Sequence, residues 1–397
     1  MTLIKWNPRF TPSKDPLGIR VGITTGPAPN KSIWENRKFQ NVYFLHQALS
    51  SLSNVREVSL IFVGSAKEEL SQEYRDLGLR LISPIEAWDQ CDVVIIMGAI
   101  FDPHWNEEFR SRGGVIIGYH LENSYTIHSE NLYFRTTALN GLITNDCDFF
   151  WMLPQYQKTN EPYLQNINPA NLVRIAPSLW GPDLIKLVAH SKNYRLERNP
   201  QNPRRGLWYI AEPNISVNNS CFVPLLIADR AFQTNPALIA QLTLMNTEDI
   251  ANHKSFHYLM GNSELSKNNK IIFKKREEFS PILMRDFDGL ISHQFENGLN
   301  YLHYEVLYAG YPLVHNSWHH RHWGYYYEGN SVMQGVKAME ASFDKFQPAQ
   351  IKKQRRELLS LLSPASPTNQ RIYFNLIEEV RDFRSKAKGA RCLIGSN

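Results

Sequence analysis

His315, His319, His320 and His322 crowd one short stretch of YEVLYAGYPLVHNSWHHRHWGYYYEG, Tyr304 to Gly329. Imidazole ligates metals and moves protons near neutral pH. A metal site would need a helical pair such as HExxH, or a Cys or acidic pair close by to complete the coordination shell. Neither accompanies these histidines, so no metal is expected and they read as surface or pocket-wall residues. Just upstream, FDGLISHQFENGLNYLHYEVLYAGYPLVHN carries a second set of chemistry-bearing residues. An apolar strand ends at His293, a polar turn follows with Glu296, Asn297, Gly298 and Asn300, and a helix carries Glu305 before an Ala-Gly-Tyr-Pro turn.

The first loop, GITTGPAPNKS, invites a phosphate-loop reading because Lys31 and Ser32 follow a strand. That loop needs glycine directly before the lysine, where Asn30 stands, and glycine at its leading position, where Thr25 stands. The reading fails, and no GxGxxG replaces it. What remains is a Gly/Pro-rich loop at the end of a first strand, where open α/β sheets bind ligands, with Gly26 in it and Trp34, Glu35 and Asn36 beside it.

The elements that must position these residues alternate in a regular way. GIRVGITTG, VSLIFVG, CDVVIIMG and GVIIGYH are short apolar runs separated by helical patterns such as ENRKFQNVYFLHQALSSL and KEELSQEYRDLG. Uninterrupted apolar strands between helices imply a parallel sheet covered on both faces. From about Cys147 to Leu184 the pattern turns irregular, and HSKNYRLERNPQNPRRG reads as a linker. A second alternation then runs through GLWYIAEP, ALIAQLTLMN, KIIFKKR, FDGLISH and YPLVHN. The fold class is therefore α/β with two Rossmann-like domains facing across a cleft. The expected boundaries are 1–184 for the first domain, 185–205 for the linker, 206–365 for the second domain and 366–397 for a helix crossing back to the first domain with a basic tail.

The 287–316 region resembles the donor-sugar motif of GT-B glycosyltransferases, in which an acidic residue and a Gly-Leu turn precede a second Glu and an Ala-x-Gly-x-Pro turn. More widely, SIWENRKFQN, AEPNISVNNSCFVPLLIADRAF and GYYYEGN resemble a poorly characterised glycosyltransferase-like family of bacteria and phages. The resemblance implies a GT-B fold, a nucleotide-diphosphate sugar as co-substrate, UDP-sugar above all, and no bound cofactor or metal. It implies that the helix N-terminus near Gly298 and Asn300 faces the diphosphate and that Glu305 bonds the ribose. Backbone N–H groups at a helix start suit a diphosphate, and a carboxylate accepts two hydroxyl bonds. Glu296 and Glu305 lie nine apart where the family has eight. Many relatives carry an Arg and a Lys at the start of the second domain. Here AEPNISVNNS offers Glu212, Asn214, Ser216 and Asn218, and Lys274, Lys275 or Arg276 is expected to replace the charge. His293 is expected to contact the donor. On the first domain the resemblance puts His120, in YHLENSY, close to the donor sugar, with Glu122 and Glu35 as further candidates to take the acceptor hydroxyl proton.

The expected activity is transfer of a hexosyl or pentosyl group from a nucleotide sugar to a hydroxyl. The net charge of +5 and pI near 8.8 come with basic clusters at 274–276, 352–356 and 384–391, which suit duplex DNA as partner. The overall design also resembles phage enzymes that glycosylate hydroxymethylated cytosine in viral DNA, and that resemblance makes this base, reached in or flipped from the duplex, the leading acceptor. A bacterial cell-surface polysaccharide is the rival acceptor, and a nucleotide-sugar epimerase or a non-catalytic DNA-binding module is the rival class. No apolar run reaches the roughly 20 residues that cross a bilayer, nothing resembles a signal peptide, and the scattered Cys91, Cys147, Cys221 and Cys392 form no framework, so a cytoplasmic protein with reduced thiols is expected.

Overall fold

The computed structural model describes residues 15, 17–26, 37–63, 77–97, 99–133, 147–167, 172–199, 205–298, 300–344 and 348–394, without the side chains of 37, 38, 344, 348 and 387–394. It divides into two compact units, one made of 1–181 with 360–397 and the other of 182–359.

The first unit holds a seven-stranded sheet in the order β3-β2-β1-β4-β5-β6-β7. Its strands are β1 (Ile19–Thr25), β2 (Val55–Phe62), β3 (Leu81–Ile82), β4 (Val93–Ile96), β5 (Val115–His120), β6 (Phe149–Met152) and β7 (Leu172–Ile175). Every pairing is parallel, as the continuous apolar runs require. β6 and β7 fall in the stretch that reads as irregular in sequence. FFWM is buried at all four positions, so it shows no alternation, and it is too short to separate by pattern from a buried loop. The helix expected over KEELSQEYRDLG lies outside the described residues.

The last helix, Pro367–Ile394, is part of this first unit. Its Tyr373 hydroxyl lies 2.9 Å from that of Tyr119 on β5 and donates to Pro177 O at 2.8 Å. Arg384 reaches Asp92 at 2.6 Å, and Glu379 pairs with Arg174 on β7. Burial pushes the Asp92 carboxyl up, but the Arg20 and Arg384 guanidinium groups outweigh it and hold the pKa below its usual value.

The second unit holds a six-stranded parallel sheet in the order β10-β9-β8-β11-β12-β13. Its strands are β8 (Leu207–Ile210), β9 (Gln241–Met245), β10 (Ile271–Lys274), β11 (Gly289–Ile291), β12 (Leu313–His315) and β13 (Tyr325–Tyr326). Trp208, Leu242, Leu244, Ile291 and Val314 from four of these strands pack with Ile227, Ala228 and Met339 from flanking helices in one buried cluster. Gly289 is required at its place, because a Cβ there would sit 2.4 Å from the Trp208 ring. The segment expected as a linker, 185–205, contains most of a helix, Asp183–Ser191, which buries Leu184, Ile185, Val188 and Ala189 on one face within this unit.

Candidate functional site

Strand order in the second sheet reverses between β8 and β11, since the chain winds outward to β9 and β10 and returns to β11 and β12 on the other side. Loops leaving the carboxyl ends of β8 and β11 therefore part at this point and leave a crevice, the usual ligand position in such sheets. The loop after β8 carries Glu212, Asn214 and Ser216, that after β11 carries His293, Gln294, Gly298 and Asn300, and that after β12 carries Asn316 to Gly324.

Side-chain hydrogen bonds hold these loops together. Glu212 is buried, and its carboxylate accepts from the Ser292 hydroxyl, from His293 N–H at 3.1 Å and from Gln294 Nε2 at 3.2 Å. It clasps the β8 loop to the β11 loop across the crevice. Asn214, in the left-handed region at φ 56, donates to the carbonyls of Glu212, Met245 and Asn246 and accepts from Cys221 N–H at 2.8 Å. Asn316 accepts from Gln294 N–H at 2.7 Å and donates to Gln294 O at 2.9 Å. Glu212 and Asn214, expected to touch the donor, thus build the walls of the crevice. Ser216 begins a short helical turn without capping it.

The Tyr301–Ala309 helix starts at this crevice. Asn300 caps it, its Oδ1 accepting from Leu302 N–H at 3.1 Å, so the residue expected to supplement a diphosphate seat first satisfies the helix itself. Gly310 closes the other end at φ 84, a conformation that glycine adopts without a Cβ penalty. Every residue of the helix is buried, Glu305 included. The turn after β12 folds against the helix start: Ser317 donates to Gly298 O at 3.4 Å, and His320 Nε2 lies 2.9 Å from the Tyr304 hydroxyl.

The histidines divide into two kinds. His319 and His322 are exposed, but His315 and His320 are buried, which the reading of all of them as surface or pocket-wall residues did not foresee. His315 donates from Nε2 to Trp323 O at 2.8 Å and accepts Ser317 N–H on Nδ1 at 3.2 Å, the neutral form with both nitrogens used. Burial pushes the pKa of His315 down to about 4 and that of His320 down to about 3. His293 is also buried and lowered to about 4 by desolvation, its Nδ1 lying 3.0 Å from the Tyr327 hydroxyl. Among the described residues, no group of three or more His, Cys, Asp or Glu is placed to hold a metal.

Lys274, Lys275 and Arg276 are not brought to the crevice. Lys274 ends the edge strand β10 and Lys275 and Arg276 follow it, two strand spacings or about 10 Å from β8. Lys274 pairs with Glu277 at 3.0 Å, and Lys275 and Arg276 are exposed.

In the first unit, His120 ends β5 and is buried. Its Nδ1 lies 2.7 Å from the Ser124 hydroxyl, and Nε2 has no hydrogen-bond partner among the described residues. Desolvation, with His128 nearby, takes its pKa down to about 3. Glu122 is exposed, next to Asn123, which caps the following helix through Thr126 N–H at 3.4 Å. Gly26 is half-buried at the end of β1. Glu35 lies outside the described residues.

A family model matches residues 21–377. The chain belongs to DUF2827. That family is described as protein of unknown function, and comparison with curated proteins returns no match. Solved structures do resemble this DUF2827 chain in fold. HepE of Anabaena, solved with UDP-glucose, is 10% identical with a TM-score of 0.52, covering 92% of this chain and 99% of its own. The α,α-trehalose 6-phosphate synthase of Burkholderia multivorans is 11% identical with a TM-score of 0.56, covering 94% of this chain and 100% of its own. The N-terminal domain of Candida albicans trehalose-6-phosphate phosphatase is 11% identical with a TM-score of 0.57, over 91% and 97%. The DUF2827 chain accordingly has a GT-B fold of two parallel-sheet, Rossmann-like domains.

Several residues of the crevice escape a reading of sequence alone. Ser292, Gln294, Asn316 and Tyr327 are ordinary polar residues in strings such as SHQ and GYYYEGN. Only strand order shows that they converge.

Proposed function

We propose that this DUF2827 protein is a UDP-sugar-dependent glycosyltransferase that moves a hexosyl or pentosyl group to a hydroxyl acceptor. The observation that carries the reading is the β8/β11 crevice, walled by clasped loops and opening onto the capped start of the Tyr301–Ala309 helix. Positive partial charge at that helix start offsets the developing diphosphate as the sugar leaves. HepE, of the same fold, was solved with UDP-glucose, which supports a uridine nucleotide as donor. Glu305, on the same helix, would accept the ribose hydroxyls, and Gly298 lets the chain approach the phosphates.

The first unit would present the acceptor. His120, neutral and with Nε2 unpaired among the described residues, can take the acceptor proton; Glu122, which is exposed, and Glu35 are the further candidates. For the acceptor class, the DNA expectation rested on basic clusters. Part of that charge is paired in the structure, with Lys274 on Glu277, Lys353 on Glu357, Arg355 on Glu197 and Arg384 on Asp92. The comparisons lend hydroxymethylated cytosine no support. A hydroxyl acceptor of a glycan is the better first trial.

The test incubates the full chain with UDP-glucose, UDP-N-acetylglucosamine, UDP-galactose and UDP-xylose against glycan acceptors and plain or hydroxymethylated duplex DNA, then weighs the products by mass spectrometry. Sugar transfer from a UDP-sugar, abolished in Glu305→Ala, is the expected result. Donor consumption without an acceptor adduct would point to an epimerase or hydrolase, and failure to bind any UDP-sugar would end the proposal.

A further inference from the structure

The Tyr327 hydroxyl is buried between two groups at the end of β11, 3.0 Å from Ser292 O and 3.0 Å from His293 Nδ1. A phenol carries one proton. The Ser292 carbonyl can only accept, so that proton is committed to it and the phenol oxygen must accept from the ring. His293 Nδ1 therefore bears its hydrogen, and in the neutral imidazole the lone pair sits on Nε2. The loop around the ring is held in place: the His293 backbone N–H is bound by Glu212, and both backbone groups of Gln294 are bound by Asn316. The exposed Asn330 side chain also hydrogen-bonds the ring. With Nδ1 taken by Tyr327, that contact falls to Nε2. A group from the solvent side thus already reaches Nε2, at the wall of the crevice.

We propose that Tyr327 is a positioning residue that holds His293 as its Nδ1–H tautomer, so that Nε2 accepts a hydrogen bond from a hydroxyl of the bound sugar nucleotide in place of Asn330. The ligand half rests on the donor reading above; the tautomer half stands on the geometry alone. The chemistry favours a polyhydroxylated sugar and disfavours a fluorine at the contacted position, because fluorine can only accept.

The experiment labels the full chain with 15N-histidine and reads the His293 ring nitrogens by long-range 1H–15N correlation, assigned by loss of the signal in His293→Gln. The wild type is expected to show a protonated Nδ1 and a pyridine-type Nε2 that shifts on adding UDP-glucose. Tyr327→Phe is expected to lose the single tautomer and to weaken UDP-glucose about tenfold, one hydrogen bond's worth, while UDP alone changes less than about twofold. A wild-type ring found as Nε2–H overturns the assignment. Equal losses for UDP and UDP-glucose overturn the sugar contact, since a merely structural defect moves both. No binding of either ligand by the wild type, with an Nδ1–H ring, overturns the donor reading and the hydroxyl contact together but leaves the tautomer lock standing. In Asn330→Ala, at an exposed site, the ring is expected to stay Nδ1–H with UDP-glucose bound at least as tightly. Conversion to Nε2–H there would show that Asn330 sets the tautomer and overturn the role of Tyr327.

Discussion

Replacing Glu212 by alanine and, separately, by glutamine distinguishes a loop clasp from a ligand-binding carboxylate. In the structure, Oε1 accepts from the Ser292 hydroxyl and His293 N–H, and Oε2 accepts from Gln294 Nε2. Glu212→Ala strands these donors in a buried place, at about 1–3 kcal/mol for each that finds no substitute. Allowing the Ser292 hydroxyl to rotate elsewhere, the loss is about 4 kcal/mol, a large part of the roughly 5–15 kcal/mol that keeps a domain folded. Glu212→Gln retains an oxygen for Ser292 and His293. Its new N–H group would oppose Gln294 Nε2, but a flip of the Gln294 amide brings Oε1, which has no partner among the described residues, into place to accept. All the bonds then survive as neutral ones, and the cost falls to about 2 kcal/mol. Urea unfolding followed by tryptophan fluorescence, with Trp208 reporting the second unit's core, measures both variants. Equal damage from the two substitutions, or none from alanine, would refute the clasp. Unchanged stability with lost UDP binding in Glu212→Gln would instead put the carboxylate on the ligand.

Other outcomes follow from the same geometry. Burial lowers the pKa values of His293 and His315 to about 4, against about 6.5 in the unfolded chain. Below about pH 6.5 the unfolded chain takes up protons that the folded one refuses until near pH 4, so stability holds above that value and drops as the solution is acidified. The slope is about 1.4 kcal/mol per pH unit for each ring, or about 4 kcal/mol for the pair between pH 6.5 and 5, and urea midpoints unchanged between pH 7.5 and 5 would contradict it. Gly289→Ala drives a methyl to 2.4 Å from the Trp208 ring and is expected to destabilise by about 3 kcal/mol, read as a lowered melting temperature. Asn300→Ala removes the cap on Leu302 N–H for about 1 kcal/mol and should weaken UDP binding, with Asn300→Ser restoring both; calorimetric titration of the three proteins decides it.

The two sheets were legible because strands buried on both faces are unbroken apolar runs, as in VVII of β4. FFWM of β6 has the same character but only four residues beside an irregular stretch, and β3 and β13 are two residues each; pattern alone does not resolve such pieces. The residues of the crevice were legible one by one, and their partners were not. Glu212 was singled out as a carboxylate at a strand end, but its donors come from Ser292, 80 positions downstream, and its neighbours, and a sequence shows a charge without its partners. Lys274, Lys275 and Arg276 illustrate the converse. They form a conspicuous basic run, yet strand order puts them on the edge of the sheet.

The first unit takes its final helix from 360–397, beyond the whole of the second unit. The whole of the second unit is therefore synthesised while the Tyr119 hydroxyl and Asp92 still lack Tyr373 and Arg384. A chain released after residue 359 should carry a finished later unit and an earlier one that still lacks its last helix, open to chaperones and proteases.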